Sequence, residues 1–354
     1  MSTTCQIEDQ RISIALATYN GERHIGEQLN SLARQSLPPW ELIVTDDGSN
    51  DCTLELVEEF AKSANFPVQI VRNDRRLGYA ANFLKAASLC TGPLIAFCDQ
   101  DDCWKSDKLL VCSSFFRDPN VVLTTHAAAV WNGMSLTGSV FPDFEETAIN
   151  EPGTLDPLKL VPGFSMVFRS ELLQLATKIP PPCHTLSIGN NADPMGHDSW
   201  LWFVGTTIGR VATISENLVL YRQHDKNTLG APADTSLRRK LQLAIGNTQY
   251  SDLAKLETEY AEKALLIHAI LPLQKNVYAS SAAENFLRRA AFHRLRSKIY
   301  DSSTRFTGRC RAFSKLLWLG AYVDDRSNTC LGRRAAIKDF CFGLPGAHKW
   351  VNKA

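Results

Sequence analysis

The stretch that most limits what this chain can become is Pro93–Trp104, PLIAFCDQDDCW. Five apolar residues, Leu94 to Cys98, break abruptly into Asp99, Asp101 and Asp102 around Gln100. A short, uniformly apolar run reads as a strand buried on both faces, the pattern of a parallel sheet. In open α/β sheets, ligands gather outside the carboxyl ends of the strands. Carboxylates set there repel one another unless something positive joins them. A divalent metal carrying a phosphorylated ligand meets that need. The competing reading of the same residues is a solvated acidic turn.

The chain upstream repeats the arrangement. Arg11–Ala17 predicts a first strand, ended by Thr18-Tyr19-Asn20-Gly21. Ile25, Leu29 and Leu32 then recur at helical spacing until Pro38-Pro39 stops the helix. Glu41–Thr45 predicts a second strand, ended by Asp46-Asp47-Gly48-Ser49, with Asn50 and Asp51 as caps for a helix through Leu54, Val57 and Phe60. Val68–Val71 predicts a third strand, and a helix through Phe83, Leu84 and Ala87 leads back to Pro93. Alternation this short and regular means βαβ units and a parallel sheet. Right-handed crossovers then open the clusters TYN, DDGS and DQDD on one sheet edge, which is the layout of a nucleotide site. Neither Walker A nor GxGxxG is present, so a P-loop or dinucleotide reading lacks its phosphate cradle.

After Trp104 the pattern loosens. Val121–Thr125 predicts a strand, Asn132-Gly133 a hairpin turn, Phe141–Pro157 a loop and Ser165–Phe168 a short strand. An irregular stretch from Pro180 to Gly196 precedes His197-Asp198-Ser199-Trp200, which leads into a helix over Leu201–Val204. Val211–Ile214 and Leu218–Arg222 predict two more strands, the second running into Gln223-His224-Asp225-Lys226-Asn227-Thr228. Leu237–Leu243, Leu253–Leu271 and Ala282–Ile299 carry helical spacing.

The formal net charge of +1 over 354 residues conceals an asymmetry. From Thr235 onward there are 21 Lys and Arg against nine Asp and Glu, leaving the earlier part near −11. The chain thus divides in two: residues 1–234 as an α/β domain and 235–354 as a basic, mainly helical extension. Basic residues interleave with Phe286, Leu287 and the run Arg311–Trp318. That composition suits either a solvated helix face or an anionic membrane surface. No recognition motif accompanies the charge, so nucleic acid is not expected. The ten cysteines show no CxxC spacing, which predicts a reducing compartment and no structural metal. The N-terminal MSTTCQIEDQR lacks a signal pattern, and no apolar run reaches bilayer length. The expected location is cytoplasmic, at most peripheral on the inner face of the cell membrane.

In this order, TYNGERHIGEQLNSLARQS, ELIVTDDGSNDCT and PLIAFCDQDDCW resemble the inverting glycosyltransferases of family 2, which have the GT-A fold. The later HDSW and YRQHDKNTLG resemble that family's bacterial rhamnosyltransferase-like branch, which assembles surface polysaccharide. The resemblance implies a Rossmann-like, mostly parallel sheet and transfer of a sugar from a nucleotide-sugar donor, a dTDP- or UDP-sugar. dTDP-rhamnose is the donor it suggests, with a saccharide, lipid-linked in that branch, as acceptor.

It also implies residue roles. Tyr19 and Asp47 hold the base, by ring stacking and by accepting a base N–H, with Thr18 and Asn20 lining the pocket. Asp101 ligates Mg²⁺ or Mn²⁺, and Asp99 contacts ribose or metal. Asp198 is the general base. His224 reaches the metal or diphosphate, and Arg222 and Trp200 face the diphosphate or acceptor. Asp225 stands where the family usually has Gly, and His126 where relatives often have Asp. A nucleotide-sugar-binding protein without turnover and a nucleotidyltransferase are the rival readings. The latter wants a Gly-rich basic loop after the first strand, which TYNGERH does not supply.

Overall fold

The computed structural model describes residues 10–182, 196–224, 250–301, 303–323 and 330–345. They form two compact units, one from residues 10–152, 157–178 and 196–224, the other from 153–156, 179–182 and 250–345.

The first unit is built on one sheet. Its early strands are β1 (Ile12–Thr18), β2 (Glu41–Asp46), β3 (Val68–Arg72) and β4 (Leu94–Cys98). Their connections carry α1 (Ile25–Ala33), α2 (Thr53–Ser63) and α3 (Tyr79–Leu89). β1 pairs in parallel with β2 and β4, and β2 with β3. The apolar run of β4 is buried at every position, as a strand covered on both faces requires. β1, β2 and β4 therefore deliver TYN, DDGS and DQDD to the same edge.

The rest of the unit widens this sheet. β5 (Cys103–Trp104) and α4 (Lys108–Phe115) follow the acidic loop. Next come β6 (Val121–Trp131), β7 (Leu136–Val140), β8 (Ala148–Asn150), β9 (Met166–Arg169) and α5 (Ser170–Lys178). α6 (His197–Ile208) leads to β10 (Arg210–Arg222). The strand order is β3-β2-β1-β4-β9-β6-β10-β5, with β7 beside β6 and β8 beside β10. β9 runs antiparallel between β4 and β6, and β10 parallel to β6. The expected hairpin turn joins β6 to β7, with Gly133 in the left-handed region at φ +92°.

Three sequence expectations are corrected. The stretch Phe141–Pro157 contains β8, a three-residue strand too short for alternation to reveal. The strands expected over Val211–Ile214 and Leu218–Arg222 are one, β10, whose register shifts between Ile214 and Val219. The intervening Ser215-Glu216 looks like a turn in sequence and is an irregularity in a continuous strand. β6 likewise extends six residues beyond the expected Thr125.

The second unit is helical. α7 (Tyr250–Ile270) and α8 (Leu273–Tyr300) form a hairpin about Leu271-Pro272. α9 (Phe306–Trp318) and α10 (Gly332–Lys338), which continues as a π-turn over Asp339–Gly343, complete the described part. Phe292, Ile299, Ala312, Leu316, Ala321 and Tyr322 make its apolar core. At the edge of that core Asp339 is fully buried, accepting from Arg296, the Tyr300 hydroxyl and the Tyr322 hydroxyl. The helix expected over Leu237–Leu243 lies outside the described residues. Among the described residues no helix is long and apolar enough to cross a membrane.

Candidate active site

Each strand end arrives at the edge with its own scaffold. Thr18 closes β1 and is buried, its hydroxyl donating to Asp46 at 2.9 Å. Asp46 also accepts from the backbone N–H of Gly48 and Ser49 and so folds the β2 loop. Tyr19 and Gln100 exchange two hydrogen bonds, Tyr19 N to Oε1 at 3.0 Å and Nε2 to Tyr19 O at 3.1 Å. The loops after β1 and β4 are thus tied together. A Cβ on Gly21 would lie 2.3 Å from Gln100 Oε1, so a side chain there would displace the Gln100 amide that ties the two loops. Asn20 adopts φ +49°, receives a hydrogen bond from Asn50 N on its Oδ1 and donates its own N–H to Ser49 Oγ.

Asp47 is buried, and its carboxylate is capped by the loop after β3. Leu77 N donates to Oδ1 at 2.6 Å, Gly78 N to Oδ2 at 2.8 Å, and Asn73 Nδ2 to Oδ1 at 3.0 Å. The same loop carries Arg76, whose guanidinium lies 4.1 Å over the ring of half-exposed Tyr19. Sequence reasoning missed Arg76: no periodicity distinguishes it from its neighbour Arg75.

The acidic loop is held from below. With its amide oriented to suit both neighbours, buried Gln28 donates to the Asp102 carbonyl and accepts from the Trp104 indole. Ser31 Oγ accepts from Trp104 N. Arg222 N donates to Asp102 Oδ1 at 2.9 Å and Arg222 Nε to the Asp101 carbonyl at 2.7 Å. The Arg222 guanidinium also pairs with Glu27 and stacks 4.1 Å over Trp131. It is buried, so its charge supports the loop and does not face a substrate.

Asp99, Asp101 and Asp102 each offer an oxygen within 4.8 Å of the others. Burial, then the charges of Asp101 and Asp198, push the Asp99 carboxyl up to about 8. Burial, then the charges of Asp101 and Asp99, raise Asp102 as well. Asp102 Oδ2 is fully buried and has no hydrogen-bond partner among the described residues. An orphaned carboxylate oxygen inside a group of oxygen donors is what a hard divalent cation fits. His224 Nε2 lies 2.9 Å from Asp101 Oδ2, and His24 stacks beside His224 with ring centroids 5.2 Å apart. Asp225 and the rest of that motif lie outside the described residues.

Asp198 sits in the first turn of α6, half-buried, where the helix dipole favours its anion. Its Oδ1 accepts from Ser199 N at 2.7 Å. The preceding His197 is buried against Phe83, stacked at 4.3 Å between centroids, and edge-on to Phe97 at 4.7 Å. This aromatic seat fixes where α6 begins. Gly163 passes beside it so closely that a Cβ would meet His197 Nε2 at 2.9 Å.

The structure therefore gathers Tyr19, Asn20, Asp99, Asp101, His224 and Asp198 at one sheet edge. Besides Arg222, turned inward as described above, two residues differ from expectation. Trp200 is turned into the core, with its indole N–H donating to the Ala176 carbonyl at 2.9 Å, because it follows the buried side of α6. Thr18 is likewise buried behind the pocket and cannot line it. His126 is fully buried on β6.

Residues 13–170 match the family described as Glycosyl transferase family 2. An uncharacterized glycosyltransferase of Nostoc sp. is 24% identical over 238 residues, covering 64% of this chain and 69% of that one. The dTDP-rhamnosyl transferase RfbG of Shigella flexneri is 27% identical over 301 residues, covering 81% and 96%. For several other curated glycosyltransferases the chain spans about half of their length or less. The crystal structure of S. aureus TarS 1–349 superposes with TM-score 0.54 at 17% identity, over 96% of this chain and 92% of that one. That likeness is one of fold, the GT-A arrangement.

Proposed function

We propose, from the match of residues 13–170 to Glycosyl transferase family 2, that this chain is a metal-dependent inverting glycosyltransferase of cell-surface polysaccharide synthesis. The donor is a nucleotide-sugar, for which dTDP-rhamnose is the first candidate, and the acceptor a saccharide, lipid-linked in such pathways. RfbG, similar along most of the chain, bears the name of a dTDP-rhamnosyl transferase, and TarS 1–349 has been crystallised with UDP-GlcNAc.

The carrying observation is the acid cluster within 4.8 Å at the end of β4, with Asp198 close enough to raise Asp99. In this reading the base of the nucleotide enters between Tyr19 and Arg76, and Asp47 turns one oxygen from the β3 loop to a base N–H. Asp198 accepts the proton of the acceptor hydroxyl as its oxygen attacks the anomeric carbon. The bond from that carbon to the diphosphate oxygen breaks, and its electron pair leaves with the nucleoside diphosphate. Asp99, Asp101, Asp102 and His224 would hold Mg²⁺ or Mn²⁺, whose Lewis acidity would stabilise the negative charge of the leaving diphosphate. One base and a single displacement invert the anomeric centre, as with separated carboxylates in inverting glycosidases.

Residues 1–234 would perform the transfer and the basic segment 235–354 would meet an anionic membrane surface. Phe306, Leu317, Trp318, Ile337 and Phe340 are exposed on its helices. Replacing Trp318 and Phe340 with Ser should reduce sedimentation of the full chain with anionic vesicles.

Substitution of Asp198 by Asn tests the chemistry. Transfer should fall by about 10²–10⁴-fold while nucleotide affinity stays near that of the unaltered chain. Unchanged transfer would remove Asp198 from its role.

A further inference from the structure

His197 has no task in this mechanism, yet it is buried one residue before the proposed base. Its ring sits in an aromatic seat. Phe83 of α3 stacks on it, with planes 13° apart, and Phe97 of β4 meets it edge-on. Tyr79, the first residue of α3, approaches another edge at 6.2 Å between centroids. Neither ring nitrogen has a hydrogen-bond partner among the described residues. Burying polar atoms without partners costs stability, so packing alone does not recommend a histidine here.

Shape and position account for it. The Gly163 backbone closes the seat: a Cβ there would lie 2.9 Å from His197 Nε2 and 3.5 Å from Asp198 Cβ. The ring and the Asp198 side chain thus rest against the same glycine. A phenyl ring, longer by one atom, would be driven into that wall, whereas the flat imidazole fits. The other walls belong to elements that build the site. Phe97 stands two residues before Asp99, and α3 starts beside Gly78, whose N–H caps Asp47.

On the reading that Asp198 is the general base, we infer that His197 is its positioning residue. Wedged between Phe83, Phe97 and Gly163, the ring sets where the Asp198 carboxylate stands relative to the acidic loop. Misplacing a reacting group by about 1 Å can cost about 10²-fold in rate.

The two sides of the seat supply the test. Gly163→Ala pushes on the ring and His197→Ala removes it. Crystal structures of the full chain, unaltered and with Gly163→Ala, should differ by about 0.5 Å or more at the Asp198 carboxylate. With dTDP-rhamnose or UDP-GlcNAc as donor and a lipid-linked saccharide as acceptor, each variant should lose about 10–100-fold in kcat. The donor KM should change less than about twofold. Because the added methyl acts through the ring, Gly163→Ala should cost nothing further in the His197→Ala background. Gly163→Ala keeps every side chain of the seat and serves if His197→Ala does not fold. An unmoved Asp198, an unchanged kcat or additive losses overturn the inference. If Asp198→Asn transfers as well as the unaltered chain, or the unaltered chain uses neither donor, the underlying reading fails, and this one with it.

Discussion

His224 Nε2 lies 2.9 Å from Asp101 Oδ2, so the end of β10 meets the acidic loop of β4. The same loop is fastened to β10 by the backbone of Arg222 on Asp102. In the proposed site both side chains turn toward one cation. Asp101→Asn should abolish metal-dependent transfer, and His224→Ala should weaken Mn²⁺ binding in the presence of nucleotide by about tenfold. Full activity of the unaltered chain in excess chelator would contradict both.

Arg76 over Tyr19 makes a second prediction. With the base between the two side chains the guanidinium would lie over the base instead of the Tyr19 ring, a cation–π contact worth about 0.5–2 kcal/mol, so Arg76→Ala should weaken nucleotide binding by roughly 2–30-fold. The maximal rate of transfer at saturating donor should change much less. Direct titration of the variant with the preferred nucleoside diphosphate measures it.

How far this site can be read from the chain depends on whether a residue's neighbours in sequence are its neighbours in space. Leu94–Cys98 breaking into DQDD specifies both a buried strand and what stands at its end, because both facts are local. Asp198 is legible for the same reason: a helix start positions it. Trp200 is not, since an aromatic two residues along the same helix start looks alike whether it faces ligand or core. Arg76 matters through Tyr19, far away in sequence, and nothing local marks it. Asp47 is a mixed case, marked by DDGS but found with its oxygens engaged by a loop whose geometry only the fold supplies.

The helical unit carries its own prediction at Asp339. Its buried carboxylate holds Arg296 through Nε and Nη2 at 3.1 and 2.8 Å and accepts from two tyrosine hydroxyls. Asp339→Ala leaves the buried Arg296 uncompensated and should cost about 3–5 kcal/mol of stability. Tyr322→Phe should cost about 1 kcal/mol. Denaturant unfolding of the two variants distinguishes a charge-centred latch from general packing.

Glu257 predicts a pH dependence of stability. It is buried beside Arg289, 2.9 Å from its Nη2, and burial pushes its carboxyl up to about 7 from 4.5. A raised folded-state value means a stabilising contribution that is full below about pH 4.5 and lost as the pH rises through about 7. His293, 3.8 Å away and held down to about 3 by burial, opposes this, since its contribution is lost as the pH falls below its unfolded value. The comparison with Glu257→Gln isolates the carboxyl. Relative to the unaltered chain, Glu257→Gln should gain about 3 kcal/mol as the pH rises through this window. A stability difference constant with pH would contradict it.

The central claim is a metal-dependent nucleotide site on the edge formed by β1, β2 and β4. Its most direct test is a calorimetric titration of the full chain with UDP, dTDP and GDP, each with and without Mn²⁺. One nucleoside diphosphate, dTDP first, should bind with Mn²⁺ and much more weakly without it, and Asp101→Asn should remove the difference. Equal binding with and without Mn²⁺, or no binding of any of the three, would contradict the claim.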